Sequence, residues 1–143
     1  MKLLTFQARR FAWKAFSQTL EEATPDTVAD CVEGELLETL VVFVHAQVAD
    51  EEPEQRAKVF KRSLKHVKWL AGKRSWKRVV LHSFTHLGGE NASPEFARGF
   101  LEELDERLSA TGYEVARTPF GWFCEWELSV YGESLAKVWK EIG

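Results

Sequence analysis

The stretch that most constrains this chain is Val79-Val80-Leu81-His82-Ser83-Phe84-Thr85-His86-Leu87-Gly88-Gly89-Glu90, followed at once by Ser93-Pro94-Glu95. A short apolar run gives way to a polar turn with adjacent glycines. A helix start follows, with serine before proline and an acid in the first turn. Strand, loop and helix N-terminus in that order are a building unit of α/β folds and a common place for a ligand. The helix start offers backbone N–H groups and a positive dipole end to an anion or a developing oxyanion. A second rigid turn, Thr118-Pro119-Phe120-Gly121-Trp122, precedes another strand-like run.

The rest of the chain reads as elements that pack around this unit. Lys2–Gln7 is a short strand, and Phe11–Phe16 a second one joined to it through 8–10, with large residues at 11 and 13 and an off-phase one at 16. The polar segment 17–35 reads as a loop or insertion. Leu40-Val41-Val42-Phe43-Val44 has the composition of a buried central strand. From Pro53 to Gly72, Ala57, Phe60, Leu64, Val67 and Ala71 recur at three and four residues, one apolar stripe of a helix. A second helix runs from about Ser93 to Ala110, and Gly112 closes it. Residues 113–116 and 123–130 are strands, and Leu135, Val138, Trp139 and Ile142 give a closing helix over 133–142. The expected architecture is α/β, one compact domain over 1–143, with a mixed sheet of four to six strands and helices packed on it.

A chain of 143 residues, 45% apolar, is large enough for a real core. A net charge of −3 does not mark a nucleic-acid binder, but charge is unevenly spread. Between Arg56 and Arg78 stand ten Lys or Arg and no Asp or Glu, while acid gathers at 50–54 and 102–106. Lys58, Lys61, Arg62, Lys65 and Lys68 form a band beside the apolar stripe of the first helix, and Lys73, Arg74, Lys77 and Arg78 follow. Such charges repel unless compensated. RNA phosphate is one compensator, with Trp69 and Trp76 available for stacking. An acidic patch of a partner subunit, such as 102–106, is the other. Cys31 and Cys124 have no paired or metal-like spacing, and no apolar run approaches membrane length, so the expectation is a soluble cytoplasmic protein with free thiols.

His86 is the leading candidate for chemistry. Its ring suits orienting a water or contacting a ribose or phosphate, and equally suits a structural hydrogen bond to a nearby carbonyl. His82 and His86 lack a third ligand at sensible spacing, so no metal is expected. Gly88 and Gly89 allow close approach of backbone to a ligand, or simply form a turn. Cys124, on one side of its strand with Trp126 and Leu128, reads as an inert buried thiol. Lys137 and Glu133 read as solvated charges.

The residues also carry a resemblance. Leu3-Leu4, the Leu40–Val44 run, Ser83-Phe84-Thr85-His86-Leu87, Gly112-Tyr113-Glu114-Val115, Pro119-Phe120-Gly121-Trp122 and Gly132 with Leu135-Ala136 resemble the N-terminal editing domain of archaeal threonyl-tRNA synthetases. That domain shares its fold with D-aminoacyl-tRNA deacylases. The resemblance implies removal of serine misattached to threonine tRNA. A pocket built for threonine discriminates against serine by only about 1–3 kcal/mol, so a second, hydrolytic site is needed. It implies a site built largely of backbone groups, assisted by the terminal ribose hydroxyl of the tRNA. It further implies a homodimer and no cofactor.

This sequence departs from the family at several pocket positions. A His-Ser pair at the end of the first strand is replaced by Gln7-Ala8, and a tyrosine–lysine pair by Phe123-Cys124. A glutamate that works with that lysine is replaced by Lys137. The candidate catalytic positions are therefore His86, Cys124 and Lys137. Gln7, Gly88, Gly89, Pro119, Phe120, Gly121, Trp122 and Phe123 are the candidate substrate contacts, and the basic 56–78 segment is the candidate tRNA contact. The expected activity is a free-standing aminoacyl-tRNA deacylase acting in trans. Its rivals are an RNA- or nucleotide-binding module that has lost hydrolysis and a purely structural partner protein.

Overall fold

One long strand organises the molecule. The computed structural model describes residues 1–20 and 32–143, and in it β1 runs unbroken over Lys2–Gln18. β2 (Glu33–His45) pairs antiparallel along one edge of it. The other edge is shared: the second half of β1 pairs with β5 (Trp122–Val130), and its first half with β6 (Lys137–Glu141). β3 (Arg78–Ser83) and β4 (Glu114–Arg117) continue the sheet in parallel from β2. The order is β4-β3-β2-β1-β5, with β6 beside β1, a six-stranded mixed sheet.

The expected break at 8–10 is not there, and the structure shows why it looked like one. Opposite β5, Ala8 faces Val130 and Arg10 faces Ser129, so Arg9 is an extra residue, a β-bulge. A bulge shifts the inside–outside alternation by one. Leu4, Phe6 and Ala8 therefore share a sheet face with Phe11 and Trp13. A second bulge at Phe16, between the pairs Ala15–Cys124 and Ser17–Phe123, explains the off-phase ring there. Of the segment expected as a loop, 17–18 and 33–35 belong to strands, and 21–31, with Cys31, lie outside the described residues.

The last element is also a strand rather than a helix. A 3-10 turn over Ser134–Ala136 leads into β6, and Ile142 donates its N–H to the Met1 carbonyl at 2.8 Å. The first half of β1 has no partner in β5, and unpaired backbone groups at a buried edge are costly. Pairing with residues 137–141 satisfies them, which outweighs a two-turn apolar stripe. Val138 then packs into the helix-side core while Trp139 lies on the other face, 52% exposed.

Two helices, α1 (Pro53–Gly72) and α2 (Pro94–Ser109), cover one sheet face. Their Val59, Phe60, Leu64, Val67, Leu70, Phe100, Leu104 and Leu108 pack on Leu3, Leu40, Val42, Val44, Val79 and Leu81. The opposite face carries a smaller cluster of Phe11, Trp13, Val41, Phe43 and Val80. Among the described residues no helix is long and apolar enough to cross a membrane.

Candidate functional site

The two turns singled out in the sequence meet. A cavity of about 360 Å³ lies at the C-terminal end of β3, lined by His82, Phe84 and His86, by Pro119–Gly121, by Trp122, Phe123, Cys124 and Trp126 of β5, and by Thr19 and Leu20 beyond β1. Pro94 and Ala97 of α2 close its side. Strand ends of a parallel sheet collect such cavities because the loops that follow them project to the same side.

The loop that carries His86 is fastened from below. His45, at the buried end of β2, accepts the Leu87 N–H on Nδ1 at 3.2 Å, which places the ring proton on Nε2, facing Asn91 Oδ1 at 2.6 Å. Lys2 Nζ donates to the Gly88 carbonyl at 2.8 Å, and backbone bonds join Val48 to Glu90 and Ala92 to Ala46. Gly88 and Gly89 have φ of +86° and +89°, and a Cβ on Gly89 would fall 2.0 Å from Gln47 Oε1. The two glycines thus serve a tight turn packed on Lys2 and Gln47, outside the residues that line the cavity.

The start of α2 is already neutralised. Ser93 caps it, its Oγ accepting from Phe96 N–H, and the Ser93 N–H and Oγ–H both donate to the Glu51 carboxylate, at 3.0 and 2.9 Å. The anion expected at this helix N-terminus is an internal one. The Gly121 carbonyl is likewise engaged, by Thr19 N–H at 2.7 Å and Thr19 Oγ–H at 2.8 Å.

His86 is exposed at the cavity mouth, its ring edge-on to Phe84 with centroids 5.2 Å apart, and it makes no hydrogen bond among the described residues. Of the two roles open to it, the bond to a carbonyl is not made. Deeper in, and missed as a site residue by the sequence reading, lies His82. It is 6% exposed, its Nδ1 is 2.7 Å from Thr118 Oγ1, and Phe43, Trp126 and Phe84 surround it at 5.0, 5.4 and 6.1 Å. Burial pushes its pKa down to about 4, so the ring is neutral. The signal was present in β3: alternation places His82 on the face of Val80, and its register partner is Phe43.

Cys124 lines the cavity, half-buried, and desolvation pushes its thiol up to about 11, away from the thiolate a nucleophile needs. Lys137 does not join it. Lys137 pairs with Phe6 and donates to the Gly132 carbonyl, whereas Cys124 pairs with Ala15, nine residues along β1 and so roughly 30 Å away. Within one chain the two do not form a pair. Gln7 is also elsewhere: buried under the end of α1, its Nε2 donates to the Leu70 carbonyl and its Oε1 accepts from Arg74.

The basic segment separates into two groups. Arg56 pairs with Glu103, Arg74 with Glu133 and Arg78 with Glu114, while Arg62 donates to the Gly143 carbonyl. Part of the 102–106 acid is thus used inside the chain, with Glu102 and Asp105 also near Arg98 and Arg117. Trp76 lies beside Arg74 and Tyr131, and Lys73 sits over the exposed Trp69. Lys58, Lys61 and Lys65 remain exposed along α1, without an ionic partner among the described residues. Lys73, Arg74, Lys77 and Arg78 stand at the N-terminal end of β3, the far end from the cavity. Among the described residues no three His, Cys, Asp or Glu side chains gather as a metal site.

Comparison with known proteins places the whole chain. Threonine–tRNA ligase of Staphylothermus marinus is 33% identical over 143 residues, and that of Methanopyrus kandleri 31% identical over 144, each match covering 99% of this chain. The chain spans 22% of the length of either ligase. The solved structure of the c-Myc DNA unwinding element binding protein superposes with a TM-score of 0.64 at 12% identity, covering 100% of this chain and 99% of that one, a likeness of fold alone. That fold is D-aminoacyl-tRNA deacylase-like. Residues 1–142 match the archaea-specific editing domain of threonyl-tRNA synthetase, and the chain belongs to that family.

Proposed function

We propose that the chain is an aminoacyl-tRNA deacylase that hydrolyses seryl-tRNA(Thr) in trans, with the ester bound in the cavity between the His86 loop and the Pro119–Gly121 turn. The observation that carries this reading is the meeting of those two turns around one cavity in a chain of the editing-domain family. Among the described residues the side chains there supply no strong nucleophile, because Cys124 stays a thiol and a base with a pKa near 4 abstracts protons poorly at neutral pH. Water is then the nucleophile, positioned by backbone groups, by His86 at the mouth and by the ribose hydroxyl of the substrate. Lys58, Lys61 and Lys65 contact the tRNA backbone, the protein works as a homodimer, and its place is the cytoplasm, where tRNA is charged.

The direct test supplies Ser-tRNA(Thr), Thr-tRNA(Thr) and a D-aminoacyl-tRNA to the isolated chain and to His86→Ala. Release of serine alone, slowed in the variant, is expected. Release from the D-substrate alone would move the protein to chirality checking. No release, with tRNA still bound, would support the second reading, a binding module without hydrolysis. The separation of Cys124 from Lys137 favours that alternative, since no lysine–acid pair stands among the described residues that line the cavity.

A further inference from the structure

We infer that His82 is the specificity-determining residue of the cavity, and that the group it reads is a hydroxyl on the amino-acid moiety of the ester. This rests on the deacylase reading for the class of ligand, but the argument for a hydroxyl comes from the cavity itself. His82 is more than nine-tenths buried and lines the cavity. One ring nitrogen, Nδ1, is held by Thr118, and the other, Nε2, has no hydrogen-bond partner among the described residues. Around it stand the rings of Phe43, Phe84 and Trp126, none of them hydrogen-bonded to it.

Nε2 opens on the cavity, where solvent can reach it, so a ligand that displaces that solvent and completes the hydrogen bond gains over one that displaces it and leaves the nitrogen unpaired. Thr118 can donate to Nδ1, leaving Nε2–H as a donor, or accept from Nδ1–H, leaving Nε2 as an acceptor. A carbonyl satisfies only the first arrangement and an ammonium only the second. A hydroxyl satisfies both. The flanking rings limit what else fits, and a ring fixed by a strand backbone and by Thr118 is a rigid reader. Neutrality matters too. With its pKa near 4 the ring holds no charge at physiological pH and would not favour an acidic side chain.

The test separates binding from hydrolysis by using 3′-amide analogues, 3′-(seryl)amino-3′-deoxyadenosine and its alanyl counterpart, titrated into the chain by calorimetry. The wild-type chain is expected to prefer the seryl analogue by about 10-fold or more, the usual scale for a buried polar group left unpaired. His82→Phe is expected to bring the two affinities within about 2-fold while keeping the alanyl analogue bound. His82→Gln, which retains a donor and an acceptor, should restore part of the preference, and Thr118→Val should weaken it without removing the ring. Equal affinities in the wild-type chain, no binding of either analogue, or a preference that survives His82→Phe would each overturn the inference. A clear seryl preference in a chain that releases nothing from Ser-tRNA(Thr) would leave it standing and sink the hydrolase reading instead.

Discussion

His45 accepts the Leu87 N–H on Nδ1 at 3.2 Å while its Nε2 meets Asn91 Oδ1 at 2.6 Å, so one buried ring spans the loop on both sides of the glycines. Nothing else described holds the Leu87 amide. Replacing His45 by Phe removes both bonds, leaving the part-buried Leu87 N–H and the Asn91 amide oxygen without a protein partner. A loss of about 1–3 kcal/mol in unfolding free energy is expected. Faster hydrogen exchange should be confined to 87–91. Exchange that accelerates evenly over the whole sheet would show that His45 acts on global stability rather than on this loop.

Gly89 supplies a sharper case, because two separate costs coincide. Its φ of +89° strains any side chain, and the new Cβ would meet Gln47 Oε1 at 2.0 Å. Gly89→Ala should therefore lower stability by about 1–3 kcal/mol. The double change Gly89→Ala with Gln47→Ala should recover only the steric part. Full recovery in the double variant would mean that the backbone conformation carries no strain.

The buried His82 links stability to pH. Its pKa lies near 4 in the folded chain against 6.5 ordinarily, so between these values the unfolded chain binds a proton the folded chain does not. Stability from this group is complete above about pH 6.5 and is lost as pH falls toward 4. From pH 7.5 to pH 5 the loss is about 2 kcal/mol. Urea unfolding at the two pH values should show this drop in the wild-type chain and a smaller one in His82→Phe. Identical drops would assign the acid sensitivity to other groups.

Cys124 should be slow to alkylate. A thiol pushed up to about 11 carries about 100-fold less thiolate at pH 8 than a free cysteine, and iodoacetamide reacts with the thiolate. Peptide mapping after timed labelling distinguishes it from Cys31. Rapid labelling of Cys124 in the folded chain would reopen it as a nucleophile.

How far the sequence could be read depends on whether a signal was local. The two turns, the central strand and both helices follow from runs of neighbouring residues, and each is where periodicity places it. The bulge at Arg9 was not legible, because a phase shift in a strand looks the same as a turn until the partner strand is known. Nor was β6, whose Val138 and Trp139 suit either period and are decided by the unpaired edge of β1. The site divides in the same way. His86 and the Pro119–Gly121 turn announced themselves, whereas His82 gains its meaning from Thr118, 36 residues on, and from Phe43 across the sheet. Lys137 and Cys124 are the converse case: a family correspondence gave both a place at one pocket, and the register of β1 sets them far apart.

The exposed lysines of α1 allow the proposed tRNA contact to be separated from structural charge. Lys58, Lys61 and Lys65 have no ionic partner among the described residues, while Arg74 and Arg78 are tied to Glu133 and Glu114. Phosphate contacts release counterions, so each one lost reduces the slope of log affinity against log salt by about 0.7–0.9. Changing all three lysines to glutamine should weaken tRNA binding and flatten that slope by about 2–3 units, with little change in the unfolding midpoint. Arg78→Gln should do the reverse, leaving the slope nearly unchanged and removing the contacts to Glu114 and to the Leu37 carbonyl that fasten β3 between its neighbours. A triple variant whose salt slope matches the wild-type chain would place the tRNA elsewhere and leave the basic face of α1 as solvated surface.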